Sequence, residues 1–289
     1  MRSEKEMLEL ILSTAREDDR IRAVILNGSR ANPEVADDLF QDFDIIYIVT
    51  DVVSYKETPA WIERFGELMI LQLPDDMGDH PSSSDRYAYL MQFADGNRID
   101  LTLYSVDRID ELTRDSLSVL LLDKDGIIEP FPPSNESDYL PAPPTQKSFG
   151  DCCNEFWWVS AYVAKGLWRE EITYAKAVFD QYLRTELMKM LTWYVGVGSD
   201  FSINLGKFGR RLQQYLDPTL WVLLVNTYSD ADIEHTWDAL EAACRLFRTI
   251  ACSVAEHFGF TYSRDEDENV SVHLKHVRQL PGDAEEMYP

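Results

Sequence analysis

The chain has 289 residues, 45% of them hydrophobic and 12% aromatic, enough apolar material for one large core or two ordinary ones. Its formal charge of −24 repels phosphate backbones, which disfavours nucleic acid as a partner and would attract a polycationic one; simple solubility or a salt-adapted proteome is the other reading, and charge alone does not choose between them. No apolar run approaches the roughly 18 residues of a membrane span, and the opening Met1-Arg2-Ser3-Glu4-Lys5 leads into an amphipathic helix and not a signal peptide, so the expected location is cytoplasmic.

Ser3 and Glu6 form a capping-box pattern, and Met7, Leu8, Leu10, Ile11 and Ala15 recur at helical spacing, which predicts a helix over 4–17. A short buried strand follows at 22–26. Gly28-Ser29 is a sharp exit from it that lets backbone N–H groups approach a ligand, and a phosphate suits that environment. After a loop from Ala31 to Phe40 comes a second strand, about 42–50, headed by Asp42 and Asp44. Strand side chains alternate, so these two carboxylates share a face while Phe43 and Ile45 take the other. Carboxylates held this close repel each other, and a divalent cation, magnesium, is their natural partner.

Thr58 and Pro59 open a short helix through Phe65 that Gly66 ends, and 67–73 fits a third strand. Residues 74–86, rich in Pro, Gly, Ser and Asp, read as an exposed loop bordering a substrate entrance. Residues 87–93 and 98–104 form a hairpin around Asp95-Gly96. In its second strand Ile99, Leu101 and Leu103 share one face; Asp100, Thr102 and Tyr104 share the other. Asp100 is costly if buried unpaired, and is either an exposed-face residue of an edge strand or part of a site. Residues 106–114 look helical, 117–122 fit a strand or a helix, and Asp123-Lys124-Asp125-Gly126 is a turn that lacks the remaining ligands of a calcium loop.

Prolines between 130 and 144 mark a connection, giving domains at 1–135 and 150–289 with a linker at 136–149. The second domain reads as helical. Along 151–169 the residues Asp151, Glu155, Trp158, Tyr162, Lys165 and Arg169 make one polar and aromatic stripe, either a solvated face or a binding wall. As a wall, Lys165 reaches nucleotide phosphates, and Asp151 and Glu155 meet cationic groups of an acceptor beside Trp158. Further helices are expected at about 171–195, 206–216, 218–228 and 230–258, the last with a nearly continuous apolar stripe from Ile233 to Phe258. Lys207, Arg210 and Arg211 form a basic cluster. Residues 263–269 are almost all charged or polar and the tail after them is expected to be loosely ordered; His273 and His276 in it could ligate a metal, though ordinary tail residues are the first reading. Cys152, Cys153, Cys244 and Cys252 lack C-x-x-C spacing and read as reduced, mostly buried thiols.

A strand, Gly28-Ser29, about a dozen residues, then Asp42-x-Asp44 opening a second strand is similar to the signature of the nucleotidyltransferase superfamily, whose small sheet resembles that of DNA polymerase β. More narrowly, Met1 to Met7, Gly28-Ser29-Arg30, Gln41-Asp42-Phe43-Asp44, Asp95-Gly96-Asn97 with Asp100-Leu101-Thr102-Leu103, Leu121 to Gly126, and Asp151 to Trp157 resemble the aminoglycoside 6-adenylyltransferases, streptomycin-modifying enzymes, over nearly the whole chain. The resemblance implies an α+β fold: a polymerase-β-like nucleotidyltransferase domain with a mixed sheet, then an α-helical bundle domain. It implies Mg²⁺-dependent transfer of AMP from ATP to the 6-hydroxyl of an aminoglycoside such as streptomycin, releasing pyrophosphate. The ATP phosphates would lie near Gly28, Ser29 and Arg30, with Mg²⁺ on Asp42 and Asp44, and Asp100 as the third carboxylate, general base or metal ligand. The alternatives are transfer to another acceptor, such as a lincosamide, another aminoglycoside or a protein, and a non-catalytic nucleotide-binding role.

Overall fold

Alternating apolar residues in the first half of the chain build a six-stranded mixed sheet. In the computed structural model, which describes residues 1–36, 38–78 and 84–288, the chain divides into two units, Met1–Asp138 and Tyr139–Pro289. The first unit contains helix α1 (Glu4–Glu17), strands β1 (Ile21–Asn27) and β2 (Phe43–Val49), helix α2 (Val52–Glu57), and strands β3 (Leu68–Gln72), β4 (Arg86–Phe93), β5 (Arg98–Ser105) and β6 (Ser118–Asp123). The sheet order is β3-β4-β5-β2-β1-β6. Among the described residues the β2–β5 pair is parallel and the other pairs are antiparallel.

The period of two gives each face its own job. Val24, Leu26, Ile45, Tyr47, Leu101 and Leu103 are buried on one face together with Met7 and Ile11 of α1. The Tyr47 hydroxyl, also buried there, donates to the Ile11 carbonyl at 2.6 Å, which satisfies both groups. The opposite face buries the smaller set Ala23, Ile25 and Ile48, with Ile109 and Phe131 packed over it. Ser3 and Glu6 close the expected capping box at the start of α1.

Local geometry departs from expectation where proline or polar residues tighten the chain. The segments Pro59–Phe65 and Val106–Glu111 are 3₁₀ turns and not α-helices. The ambiguous 117–122 run is edge strand β6, its sequence Ser-Val-Leu-Leu-Leu-Asp pairing with β1. Of the expected 74–86 loop, residues 79–83 lie outside the described residues. Asp123 accepts hydrogen bonds from the N–H groups of Asp125, Gly126 and Ile128, so that segment is a turn.

The second unit contains α3 (Gln146–Trp168), α4 (Ile172–Val178), α5 (Arg184–Ser199), α6 (Leu212–Tyr215), α7 (Pro218–Val225), α8 (Ile233–Phe258) and α9 (Arg264–Gln279). A π-helical turn, Phe179–Leu183, joins α4 to α5. Trp237, Leu240, Cys244, Phe247, Ala251 and Val254 of α8 are buried as a stripe, and Phe247 stacks on Phe156 of α3 with ring centroids 3.8 Å apart. Among the described residues no helix is long and apolar enough to cross a membrane.

The tail is the main correction. Residues 264–279 are a helix, because the acidic run Asp265-Glu266-Asp267 sits in its first turn, where negative charge suits the helix dipole. Leu274 and Val277 then bury one face. Asp267 is only 3% exposed. Burial opposes its charge, but the Arg248 fork and the Tyr262 hydroxyl outweigh that and hold its carboxyl below the usual range. His273 and His276 spend their rings on Tyr288.

Replacing Asp267 by Asn should destabilise the protein by about 2 kcal/mol, below the range for a fully buried pair because Arg248 is partly exposed. A depressed carboxyl contributes its stability above the unfolded pKa and loses it as pH falls through the folded one. Urea unfolding at pH 7 should therefore show the deficit, and it should shrink at pH 3.

Candidate active site

Strand register gathers the polar residues. Ser118 pairs with Asn27, Asn27 with Asp44, and Asp44 with Asp100, so one row crosses β6, β1, β2 and β5 with all four side chains on one face. Asp42 lies two residues before Asp44, on the same side. The Ser118 hydroxyl donates to the Asn27 Oδ1 at 2.8 Å, which fixes the amide. β5 lies between β4 and β2, so Asp100 is on an interior strand, and the edge-strand explanation for it fails. Asn27 and Ser118 went unnoticed as site residues in the sequence because only the pairing reveals their row.

Gly28 is required by two constraints. Its φ is +74°, and a Cβ there would lie 2.3 Å from Asp44 Oδ2. Its N–H is spent on the Leu117 carbonyl at 3.0 Å, so it is not offered to a ligand. The chain then turns through the 3₁₀ segment Gly28–Ala31, which carries Ser29. Arg30 follows Ser29 in the same turn. Its guanidinium is buried over the Phe43 ring and donates to the carbonyls of Asp42 at 3.1 Å and Gln41 at 2.8 Å. It positions the Asp42 backbone. The neighbouring Gln41 Oε1 is buried without a hydrogen-bond partner among the described residues, an unsatisfied acceptor beside the carboxylates.

The carboxylates strain one another electrostatically. Burial first, then the charges of Asp100 and Asp42, push the Asp44 carboxyl up to about 6, with Arg98 pulling the other way. Asp42 is also raised, by burial and by Asp100 against Arg98. Arg98 is the cation standing among them: its Nε and Nη2 each lie 2.7 Å from an oxygen of Asp100, and Nε is 3.6 Å from Asp42. Sequence reasoning passed over Arg98, although its two-residue spacing from Asp100 placed both on one face. Among the described residues no group of three or more His, Cys, Asp or Glu side chains is placed to hold a metal ion. Magnesium seldom needs such a group, being held by one or two carboxylates plus substrate phosphates. Asp42 and Asp44, hard oxygen donors whose carboxyls are both raised, fit such an ion.

In the second unit, Asp151, Glu155, Trp158, Tyr162 and Lys165 are all exposed along α3. Asp151 is paired with Lys147. Trp158, 60% exposed, donates from Nε1 to the Tyr162 hydroxyl at 3.0 Å, and Lys165 Nζ lies 4.7 Å from the centre of the Tyr162 ring. The stripe is a single organised surface, with Trp158, Tyr162 and Lys165 linked to one another.

The streptomycin adenylyltransferase family model matches residues 1–277. The chain belongs to that family. Its members are nucleotidyltransferases, and so is this protein. It is 42% identical to the aminoglycoside 6-adenylyltransferase of Campylobacter jejuni over 280 residues, 96% of each chain. It is 38% identical to that of Bacillus subtilis (strain 168), over 96% of this chain and 98% of that one. A crystal structure of an aminoglycoside 6-adenyltransferase from Bacillus subtilis has 34% identity and a TM-score of 0.48, covering 97% of this chain and 100% of the other.

Two outcomes follow for this adenylyltransferase family member. Gly28→Ala should cost about 1 kcal/mol of stability through its positive φ, yet lower turnover about a hundredfold by displacing Asp44; comparing kcat with a melting curve separates the two effects. Asp44 has a folded pKa raised above the unfolded value, so it binds a proton in the folded state between about 4 and 6, and its ionisation costs stability above that window. Metal-free Asp44→Asn should therefore melt a few degrees above wild type at pH 7.5, roughly as a gain near 1 kcal/mol would produce. The gap should close by pH 4.

Proposed function

We propose that this protein transfers the adenylyl group of ATP to the 6-hydroxyl of streptomycin, releasing pyrophosphate and inactivating the drug. The observation that carries the reading is the pairing of Asp44 with Asp100 across β2 and β5, with Asp42 on the same face. The names of the full-length relatives support the aminoglycoside as acceptor. So does the charge of −24, since a polycationic sugar is attracted to such a surface and a nucleic acid is not.

The hydroxyl oxygen attacks the α-phosphorus, the bond from that phosphorus to the bridging oxygen breaks, and pyrophosphate leaves with the electron pair. Asp100 takes the hydroxyl proton, which requires hydrogen-bond reach of that oxygen. Asp42 and Asp44, joined by Asp100 if it also ligates, would hold Mg²⁺, which when bound offsets the negative charge of the phosphates. Gly28 and Ser29 form the turn beside the phosphates, and Arg30 holds the Asp42 carbonyl in place. The exposed stripe of the helical unit offers carboxylates at Asp151 and Glu155, an aromatic ring at Trp158 and a cation at Lys165, chemistry that suits the cationic groups and ring face of an aminoglycoside and a nucleotide phosphate. We place the reaction in the cytoplasm, where ATP is available, with the nucleotidyltransferase domain at 1–135, a linker at 136–149 and the helical domain at 150–289.

Pyrophosphate should appear from Mg-ATP only when streptomycin is added, with a drug mass gain of one AMP by mass spectrometry. Release with another acceptor and not with streptomycin would transfer the reading to that acceptor. Asp42→Asn and Asp44→Asn should abolish transfer with circular dichroism near wild type, and Asp100→Asn should reduce kcat about a thousandfold, within the range of a lost general base. Retained activity in Asp42→Asn or Asp44→Asn removes the metal-site assignment, and a wild-type rate in Asp100→Asn removes it as base or ligand.

A further inference from the structure

Asp100 cannot serve Arg98 and the reaction at once. Both of its oxygens accept from the Arg98 fork, Oδ1 from Nε and Oδ2 from Nη2, each at 2.7 Å. A bidentate arginine–carboxylate pair is among the stronger charge-assisted contacts, and it occupies the oxygens that a base or a metal ligand needs. The same guanidinium lies 3.6 Å from Asp42, so it spans two of the three carboxylates. Arg98 is nevertheless 40% exposed, which leaves its side chain room to leave. The nearby Arg30 is not equivalent: its side chain is 6% exposed and locked onto two carbonyls.

We infer that Arg98 is a resident counter-cation of the carboxylate face, a built-in competitor that must release Asp100 before a divalent cation or an attacking hydroxyl can use it. The inference rests on the proposed metal role of Asp42 and Asp44. Without a metal, three carboxylates on one face repel, and the guanidinium offsets that repulsion. A metal-bound nucleotide brings both requirements for release: a cation that replaces Arg98 at the carboxylates, and phosphate oxygens that offer a guanidinium a new planar partner. Binding of metal and nucleotide are therefore favourably linked, and the protein alone binds metal weakly.

The test titrates Mn²⁺ alone into the full chain without nucleotide and reads free Mn²⁺ by electron paramagnetic resonance. Removing a unit charge a few ångströms from the ion should make Arg98→Gln bind roughly tenfold more tightly than wild type. Arg98→Lys, which keeps the charge but loses the fork, should fall between them. Asp44→Asn added to Arg98→Gln should abolish the tight site, which locates it. Equal or weaker binding in Arg98→Gln, with native circular dichroism, overturns the inference and leaves the metal site standing. No binding in wild type or variant overturns the metal site and the inference together.

Discussion

Mutual repulsion among Asp42, Asp44 and Asp100 is the constraint on which the first unit depends. Three acidic side chains share one face because β2 and β5 run parallel in register, and burial makes the charges of Asp42 and Asp44 more expensive than they would be in water. Such an arrangement persists only when its surroundings fix it. Tyr47, on the opposite face of β2, is anchored to α1. Arg30 holds the backbone of Asp42, and Gly28 leaves the space that Asp44 fills. Each of these contacts stabilises a geometry that the carboxylates themselves oppose, a familiar exchange of stability for function.

Positive charge near the site is divided between two arginines with opposite behaviour. Arg30 is buried and committed to carbonyls, so its charge supports the backbone. Arg98 is half-exposed and committed to the carboxylates of Asp100 and Asp42. The first makes the scaffold rigid. The second gives the site a balance that an incoming cation can tip, and this difference follows from burial and partner.

The second unit is organised by apolar packing and not by charge. Phe156, Trp157 and Phe247 fill its centre, and the face of α3 left outside carries Tyr162 in contact with both Trp158 and Lys165. The fork from Arg248 to Asp267 ties α9 to α8, so a segment that is polar in composition is held as a helix.

The sequence by itself determined the elements whose signal is local. The capping box of α1, the alternation of β2 and β5, the turn at Asp123 and the apolar stripe of α8 are all written in spacings of two to four residues. Asp42 and Asp44 were legible for the same reason, and Asp100 through its unlikely place inside an apolar strand. Only tertiary structure decided what depends on pairing between distant segments. Strand register set Asn27 and Ser118 in line with Asp44 and Asp100 and brought Arg98 within reach of Asp42, while the turn after β1 put Arg30 on the carbonyls of Gln41 and Asp42. Burial of Asp267 against Arg248 decided α9, whose charged run taken alone reads as an unfolded tail. Short-range periodicity fixes which way a side chain points from its own element; what it meets there is set by long-range contacts that no local pattern encodes.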